Sequence, residues 1–417
     1  MSKKPVSEIY HKIEKDNFPD KMDINFHSAN STQTLLYEKV TWELGGAEKG
    51  LRYGENPGQP AALYKLINGN LLLGDCRTIQ AGHYLASDIE LLQSGKHPGK
   101  TNITDVDSAL NILRYFTDKP CTVIVKHNNP CGVAKADTLA AAYRKALMAD
   151  RIAAFGGAVT CNKPVDRETA ELMSESYIEV IAAPEFENGV LEILSSRKNL
   201  RVMKVSNIEQ LQEYVGKRFL DVKSLLDGGL ILQLSLVPGL LATDEMKPAS
   251  TEHEGKLYAI EREPSEKEKK DMLFGWLVET GITSNSVIYV KDEVTVGIGT
   301  GEQDRVGVAE IGRDKAYRKL ADRICRENHG IPFADLRDID ERRNIESTVA
   351  EKHGGLAESV MVSDAFFPFR DGIEVGLREG VTAVIQPGGA IRDAESIEAC
   401  NEYNATMVFT GQRCFKH

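Results

Sequence analysis

The chain has 417 residues, 41% hydrophobic and 27% charged, with a net charge of −11; that is length enough for two or three domains or one large two-lobed unit. The acidic balance argues against a general nucleic-acid surface or an anionic membrane partner, so an anionic ligand must be caught by local basic groups. No apolar run approaches the ~18 residues of a membrane span and the N-terminus carries no signal-peptide apolar region, so a cytoplasmic protein is expected.

Residues 1–45 are polar and mixed, with a helix-like stretch from Ser7 to Lys15, and are expected to form an extension on the main body. From about 46 the pattern becomes α/β. Strands are predicted at 122–125, 177–182, 286–290, 294–298, 359–363, 382–386 and 405–409, and helices at 107–116, 137–148 and 265–279. Ser265 followed three residues later by Glu268 has the form of a capping box. Residues 238–264 mix Pro, Gly, Lys, Glu and Thr and look like a connector. The expected organisation is a first lobe over 46–210, a connector over 211–265 and a second lobe over 266–417.

The richest stretch is Thr122-Val123-Ile124-Val125-Lys126-His127-Asn128-Asn129-Pro130-Cys131-Gly132. Four β-branched residues suit a strand buried on both faces, and open α/β sheets place ligands beyond the carboxyl ends of their strands. Lys126 and His127 arrive there. Neighbours on a regular strand point to opposite faces, so the pleat must break at or just after this pair if both are to serve one site. Asn129 before proline, Pro130 and Gly132 make such a break plausible. A strand-end lysine in solvent beside a histidine satisfied by backbone is the plainer alternative. Cys131 reads as a small packing residue rather than a nucleophile.

The seven cysteines form no Cys-x-x-Cys pair and the nine histidines no His-Glu-x-x-His, so no catalytic metal is expected. Gly297-Ile298-Gly299-Thr300-Gly301-Glu302 has glutamate at the third glycine position of a dinucleotide fingerprint, and no βαβ unit with an acidic ribose residue follows.

Six motifs occur in order: Arg52-Tyr53-Gly54-Glu55-Asn56-Pro57, Lys126-His127 with Pro130-Cys131-Gly132, Ala153-Ala154-Phe155-Gly156-Gly157, Asp364-Ala365-Phe366-Phe367-Pro368-Phe369, Gln386-Pro387-Gly388-Gly389-Ala390-Ile391-Arg392-Asp393, and the terminal Met407 to His417. Together they resemble the transformylase half of the bifunctional purine biosynthesis family, 5-aminoimidazole-4-carboxamide ribonucleotide (AICAR) formyltransferase, from about residue 50 to the end. The resemblance implies two cytidine-deaminase-like α/β/α lobes with mixed sheets and a homodimer with sites at the subunit interface. It implies AICAR as acceptor and 10-formyl-tetrahydrofolate as cosubstrate. Some members hold a structural monovalent cation. Only about 50 residues precede Arg52, too few for the family's cyclohydrolase domain, so a stand-alone transformylase with a separate IMP cyclohydrolase in the pathway is expected.

The resemblance also assigns roles. His127 would take the proton from the weakly nucleophilic 5-amine. Lys126 would stabilise the oxyanion or protonate the departing folate nitrogen. Asn285 would polarise the formyl group, and His417 would act at the same site. Arg52, Tyr53, Asn102, Gly156, Glu179, Arg413 and Phe415 match nucleotide contacts, with Glu179 suited to ribose hydroxyls. Arg305, Phe366, Pro368 and Asp371 match pterin or glutamate contacts, and Gly388 and Gly389 offer backbone amides to a carbonyl or anion. A strand-start amide bonded to backbone and a plain strand-to-helix turn are the alternatives for Asn285 and for the glycines. Gly58, Thr283 and Asp304 stand where the family usually has histidine, lysine and a small residue, which makes the surroundings of Arg305 more negative. A non-catalytic AICAR-binding homologue, or the same acceptor with another formyl donor, therefore stays open.

Overall fold

Short aliphatic and β-branched runs make the buried strands here, as expected where both sheet faces are covered. In the computed structural model of the chain, residues 17–68, 71–74, 76–77 and 82–417 are described; the Ser7–Lys15 helix lies outside them. The fold is mixed α/β. It divides into two units. The first takes the described residues up to Cys121 with 125–128 and 155–237; the second takes 122–124, 129–154 and 238–417.

In the first unit Ala158–Cys161, Val180–Ala183 and Arg201–Lys204 pair in parallel, and Glu90–Gln93 closes the edge antiparallel to the last. Lys100–Leu113 packs on Ala158–Cys161, burying Ile103, Val106, Ala109, Leu110 and Leu113. An antiparallel sheet of Lys21–His27, Thr32–Lys39 and Tyr64–Leu66 precedes them. In the second unit Val360–Ser363, Ala383–Gln386 and Thr406–Phe409 are parallel neighbours. Ser286–Lys291 joins antiparallel to Val360–Ser363, followed by Val294–Thr300 and Asn129–Lys135. Among the described residues no helix is long and apolar enough to cross a membrane.

The strands foreseen in the second half are present at Ser286–Lys291, Val294–Thr300, Val360–Ser363, Ala383–Gln386 and Thr406–Phe409, and the Ser265 capping box stands at the head of Glu266–Glu279. Other boundaries moved. The helix expected at 107–116 starts at Lys100, because the Asn102 side chain folds back to accept the Gly99 N–H at 3.0 Å and closes the first turn. The strand expected at 177–182 begins only at Val180.

The 25-residue helix Arg305–His329 was not foreseen. Its charged face and internal glycines obscure the helical period, and Asp304 is its N-cap, accepting the Gly307 N–H at 2.6 Å. Asp304 thus does helix-capping work at the residue where the sequence suggested only added negative charge. The same helix accounts for the discounted glycine run. A Cβ on Gly299 would stand 2.0 Å from the Val308 carbonyl oxygen, so helix and strand touch only because that position is bare.

Candidate active site

His127 and Asn128 have φ of 56° and 63°, and they join Cys121–Lys126 to Asn129–Lys135. Two consecutive positive φ values are what a tight two-residue hairpin turn requires. The pleat therefore breaks at His127 itself. Asn129, Pro130 and Gly132, expected to form the break, lie instead in the next strand. Gly132 is needed for close approach, since a Cβ there would meet the Ala146 carbonyl oxygen at 2.0 Å. Cys131 is half-buried, not a core packing residue.

With the turn so placed, Lys126 and His127 line one cavity of about 270 Å³ in the first unit. Tyr53, Asn102, Gly156 and Glu179 line it too. The Lys126 ammonium is held 2.8 Å from the Phe155 carbonyl oxygen. Gly156, at φ 74°, donates its N–H to the Tyr177 carbonyl at 2.8 Å and leaves the cavity wall without a side chain. Glu179 receives the Asn102 amide at 3.3 Å and sits 3.7 Å from Arg201, which holds its carboxylate at the rim. Phe155 and Tyr177 form a tilted aromatic pair, centroids 4.9 Å apart, at the same cavity. Arg52 lies over the Tyr53 ring at 5.2 Å but lines a neighbouring cavity.

The residue that sequence reasoning missed is Asp105. It is buried, and its carboxylate accepts the Asn128 backbone N–H at 2.8 Å. Burial pushes its pKa up, while the Asn128 amide and the nearby His127 pull the other way. A signal existed: Asn102 and Asp105 stand three apart on one helix, so they share a face. Asp105 is a positioning residue for the turn that aims His127. Asp105→Ala is expected to lower any turnover that depends on His127 roughly tenfold to hundredfold by loosening that aim, with the substrate KM little changed. Equal loss in KM and kcat would refute the positioning role.

The remaining candidate residues lie in the second unit. The Ser284–Asn285 peptide is cis. The Asn285 side-chain oxygen accepts from Arg305 at 2.9 Å and its nitrogen donates to the Gln303 carbonyl at 2.9 Å. Arg305 is buried and also donates to the Ser286 carbonyl, the Ser363 hydroxyl and Asp364. Its guanidinium is therefore engaged inside the protein, orienting Asn285, rather than extended toward a folate tail.

The C-terminal segment is tied down beside them. Cys414 donates its N–H to the Asp364 carbonyl at 3.0 Å, Ser284 donates to the Lys416 carbonyl at 2.9 Å, and Lys416 reaches the Gly281 carbonyl with its ammonium at 2.8 Å. Arg413 stacks over Phe415 at 4.7 Å, and the Phe415 and His417 rings meet edge-on at 5.8 Å. Phe366 and Pro368 are exposed while Phe367 is buried, giving an apolar ledge. Asp371 lies in the first turn of its own helix and accepts the Gly372 N–H at 2.8 Å. The Gly389 amide, offered by the sequence as an anion donor, is taken by Asp393 at 2.6 Å, as is that of Ala390. Gly388, at φ 72°, serves the turn.

Behind this set Glu279 is fully buried. Both its carboxylate oxygens and the Ser286 hydroxyl lack a well-directed hydrogen bond. Burial raises the Glu279 pKa well above the usual range, with Asp364 adding to it and Ser286 and Arg305 opposing. An acid that keeps its proton in the folded state after the unfolded chain has released it loses stability as pH rises from its unfolded pKa toward its folded one. Glu279→Gln is accordingly expected to gain on the wild type above about pH 4.5. At neutral pH the gain is expected to be on the order of 1–3 kcal/mol, read by urea unfolding at several pH values. An unchanged pH slope would show that Glu279 is not the group responsible.

The chain has relatives among known proteins. The family described as "AICARFT/IMPCHase bienzyme" matches residues 18–315. A bifunctional purine biosynthesis protein PurH of Caldicellulosiruptor saccharolyticus is 35% identical over 398 residues, covering 95% of this chain and 64% of that relative. PurH proteins of Chlorobaculum parvum and Magnetococcus marinus are each 37% identical over 391 residues, covering 93% of this chain and 61% of each relative. The chain thus spans a little under two thirds of the length of these relatives. A match over most of the chain, through the turn that carries Lys126 and His127, places this protein in the AICARFT/IMPCHase bienzyme family.

Proposed function

We propose that the chain transfers a formyl group from 10-formyl-tetrahydrofolate to the 5-amino group of AICAR, a step of purine biosynthesis. The observation that carries this reading is the His127–Asn128 turn, which brings an ammonium and an imidazole to one cavity already lined by Asn102, Gly156 and Glu179. The relatives' name, bifunctional purine biosynthesis protein, supports the pathway. The proposal covers formyl transfer alone and assigns no residue to ring closure.

The chemistry follows from the groups. AICAR's amine is conjugated to the imidazole ring and attacks only as its proton leaves. His127 accepts that proton. Lys126 balances the oxyanion that forms at the formyl carbon; as that intermediate collapses, the bond from the formyl carbon to the folate nitrogen breaks and the departing nitrogen takes the proton that His127 removed. Glu179 accepts from two adjacent ribose hydroxyls, and its tethering by Asn102 and Arg201 pre-organises it for them. The Phe366–Pro368 ledge suits a flat pterin, and Asn285, with its oxygen held by Arg305, keeps an amide N–H for the formyl oxygen. A homodimer with sites at the interface belongs to the same reading, and analytical ultracentrifugation tests it.

The residues also fit a structural monovalent cation. Glu279 and Ser286, buried without well-directed hydrogen bonds, would hold it, and its charge would let the Glu279 carboxyl, protonated in its absence, ionise. Potassium should then raise the melting temperature of the wild type and leave that of Glu279→Gln unmoved.

The test of the function is a formyl-transfer assay on the wild type with AICAR and either 10-formyl-tetrahydrofolate or formate with ATP. Turnover with the folate donor is expected. Turnover only with formate would replace the donor, and tight AICAR binding with no turnover on either would leave a nucleotide-binding protein.

A further inference from the structure

A cavity of about 580 Å³ opens in the second unit, apart from the residues assigned above. Its floor is one face of the strand Val294–Thr300, since Val294 and Val296 are two apart and point the same way. Its walls are two helices that pack on that strand, Leu139–Ala149 and Arg305–His329. The first helix contributes Met148 and the second Ala316 and Leu320, so the bottom is apolar. Helices laid on one sheet face ordinarily close on each other at native packing density; these two leave a groove. It lies at the Lys291–Val294 end of a hairpin whose other end follows Asn285, roughly 20 Å along the strand Ser286–Lys291.

Two ion pairs fix the spacing of the walls. Lys319 meets Asp150, which ends the first helix, at 2.7 Å, and Arg151 meets Asp322 through two bonds of 3.0 Å. Asp150 and Asp322 are both buried. The groove is therefore formed before any ligand arrives, which lowers the cost of binding.

The rim is cationic. Arg144 and Lys145 stand on one wall and Arg323 on the other, all three exposed. None of them forms an ion pair among the described residues. Nearby acids are already engaged: Asp150 and Asp322 as above, Asp292 with Lys267 at 3.0 Å, and Glu358 with Lys291 at 3.1 Å. That leaves Glu327 as the lining carboxylate, one turn beyond Arg323. Such an excess of unpaired cations stands out in a chain whose acids outnumber its bases 62 to 51.

We propose that this groove binds a multiply charged organic anion that carries a flat apolar ring. The ring lies on Met148, Val294, Val296 and Leu320, and the anionic groups reach Arg144, Lys145 and Arg323. Cations on both walls select a ligand with more than one anionic group, because a single anion answers one wall and leaves the other. Guanidinium forks pair with phosphate and with carboxylate alike, so the ligand is a nucleoside triphosphate or an aryl oligo-glutamate. The volume is that of a small-molecule site, about 300–1,000 Å³ being usual. The site is independent of the formyl-transfer reading, and either can fail alone.

Calorimetric titration of the full chain in magnesium-free buffer tests it, with ATP, adenosine, inorganic triphosphate and 4-aminobenzoyl-triglutamate as probes. ATP or the aryl triglutamate is expected to bind, and whichever is tighter names the source. Adenosine and inorganic triphosphate should each bind at least roughly tenfold more weakly, for want of the charges or of the ring. Arg144→Ala and Arg323→Ala should each weaken the tighter ligand roughly threefold to tenfold, and the double variant by about the product, since the two stand on separate helices. Both side chains are exposed, so the melting temperature should not move. AICAR affinity should be unchanged in the double variant, which separates this groove from the Lys126 cavity.

Failure of both ring-bearing anions to bind overturns the proposal, as does full affinity in the double variant. Inorganic triphosphate binding as tightly as the better ligand would make the rim an unselective anion surface, and adenosine doing so would remove the charges; either result overturns it. Equal weakening of AICAR in the double variant would trace the effect to the Lys126 cavity and overturn it too.

Discussion

His127→Ala is expected to lower formyl transfer by roughly 10²–10⁴-fold, the usual contribution of a positioned general base, while AICAR binding survives. In the proposed reaction the amine of AICAR is too weak a nucleophile to attack unless its proton leaves, and within the turn His127 offers the basic ring nitrogen, next to Lys126. The alanine should still allow the hairpin, because the turn is also held through the Asn128 amide on Asp105. The measurement is initial rate against AICAR concentration, with binding followed separately by calorimetry. Undiminished kcat in a folded His127→Ala protein would remove the proposed base. A loss confined to KM would make the residue a binding group.

The largest effect on stability is expected at Asp364. Its side chain is fully buried, pairs with Arg305, and accepts the Ser284 hydroxyl at 2.6 Å and the Ser286 N–H at 3.1 Å. Asp364→Ala leaves a buried guanidinium without its counter-charge, a change that typically costs about 3–5 kcal/mol. Chemical unfolding measures it. Asp364→Asn keeps an acceptor for the Ser284 hydroxyl and should cost less. Because Arg305 also holds the Asn285 oxygen, either variant should lower activity beyond what its stability explains. Wild-type stability in Asp364→Ala would mean that Arg305 finds another partner and that the network does not fix Asn285.

The contrast between Lys126–His127 and Arg305 shows what kind of information a chain displays. The first pair was legible because an apolar β-branched run ends in two chemically active side chains, and that juxtaposition is local. The Asp105 carboxylate that secures the turn was not, although it sits only three residues beyond Asn102. Its role depends on which backbone amide the helix faces, and no local pattern states that. Arg305 was read as a folate contact because the family resemblance places a pterin or glutamate contact at that position. Its burial beside Asp364, 59 residues away, turned it inward.

Strands rich in Val, Ile and Ala announced themselves through composition, since only burial on both faces tolerates such runs. The helix Arg305–His329 did not. It is held by one long stripe against Val294–Thr300, where Gly297 and Gly299 admit its backbone, and its charged outer face dilutes the period. Composition and residue order by themselves determined the α/β class, the second-half strands, the capped helix from Glu266 and the place where an ammonium and an imidazole arrive together. Tertiary structure alone decided that these two share a cavity, that Asp105 holds their turn, that Arg305 and the Gly389 amide are occupied from within, and that Arg144 and Arg323 line one groove. The physical reason is range: periodicity and turn chemistry act over a few residues, whereas hydrogen-bond satisfaction and desolvation are settled by whatever distant segment folding brings alongside.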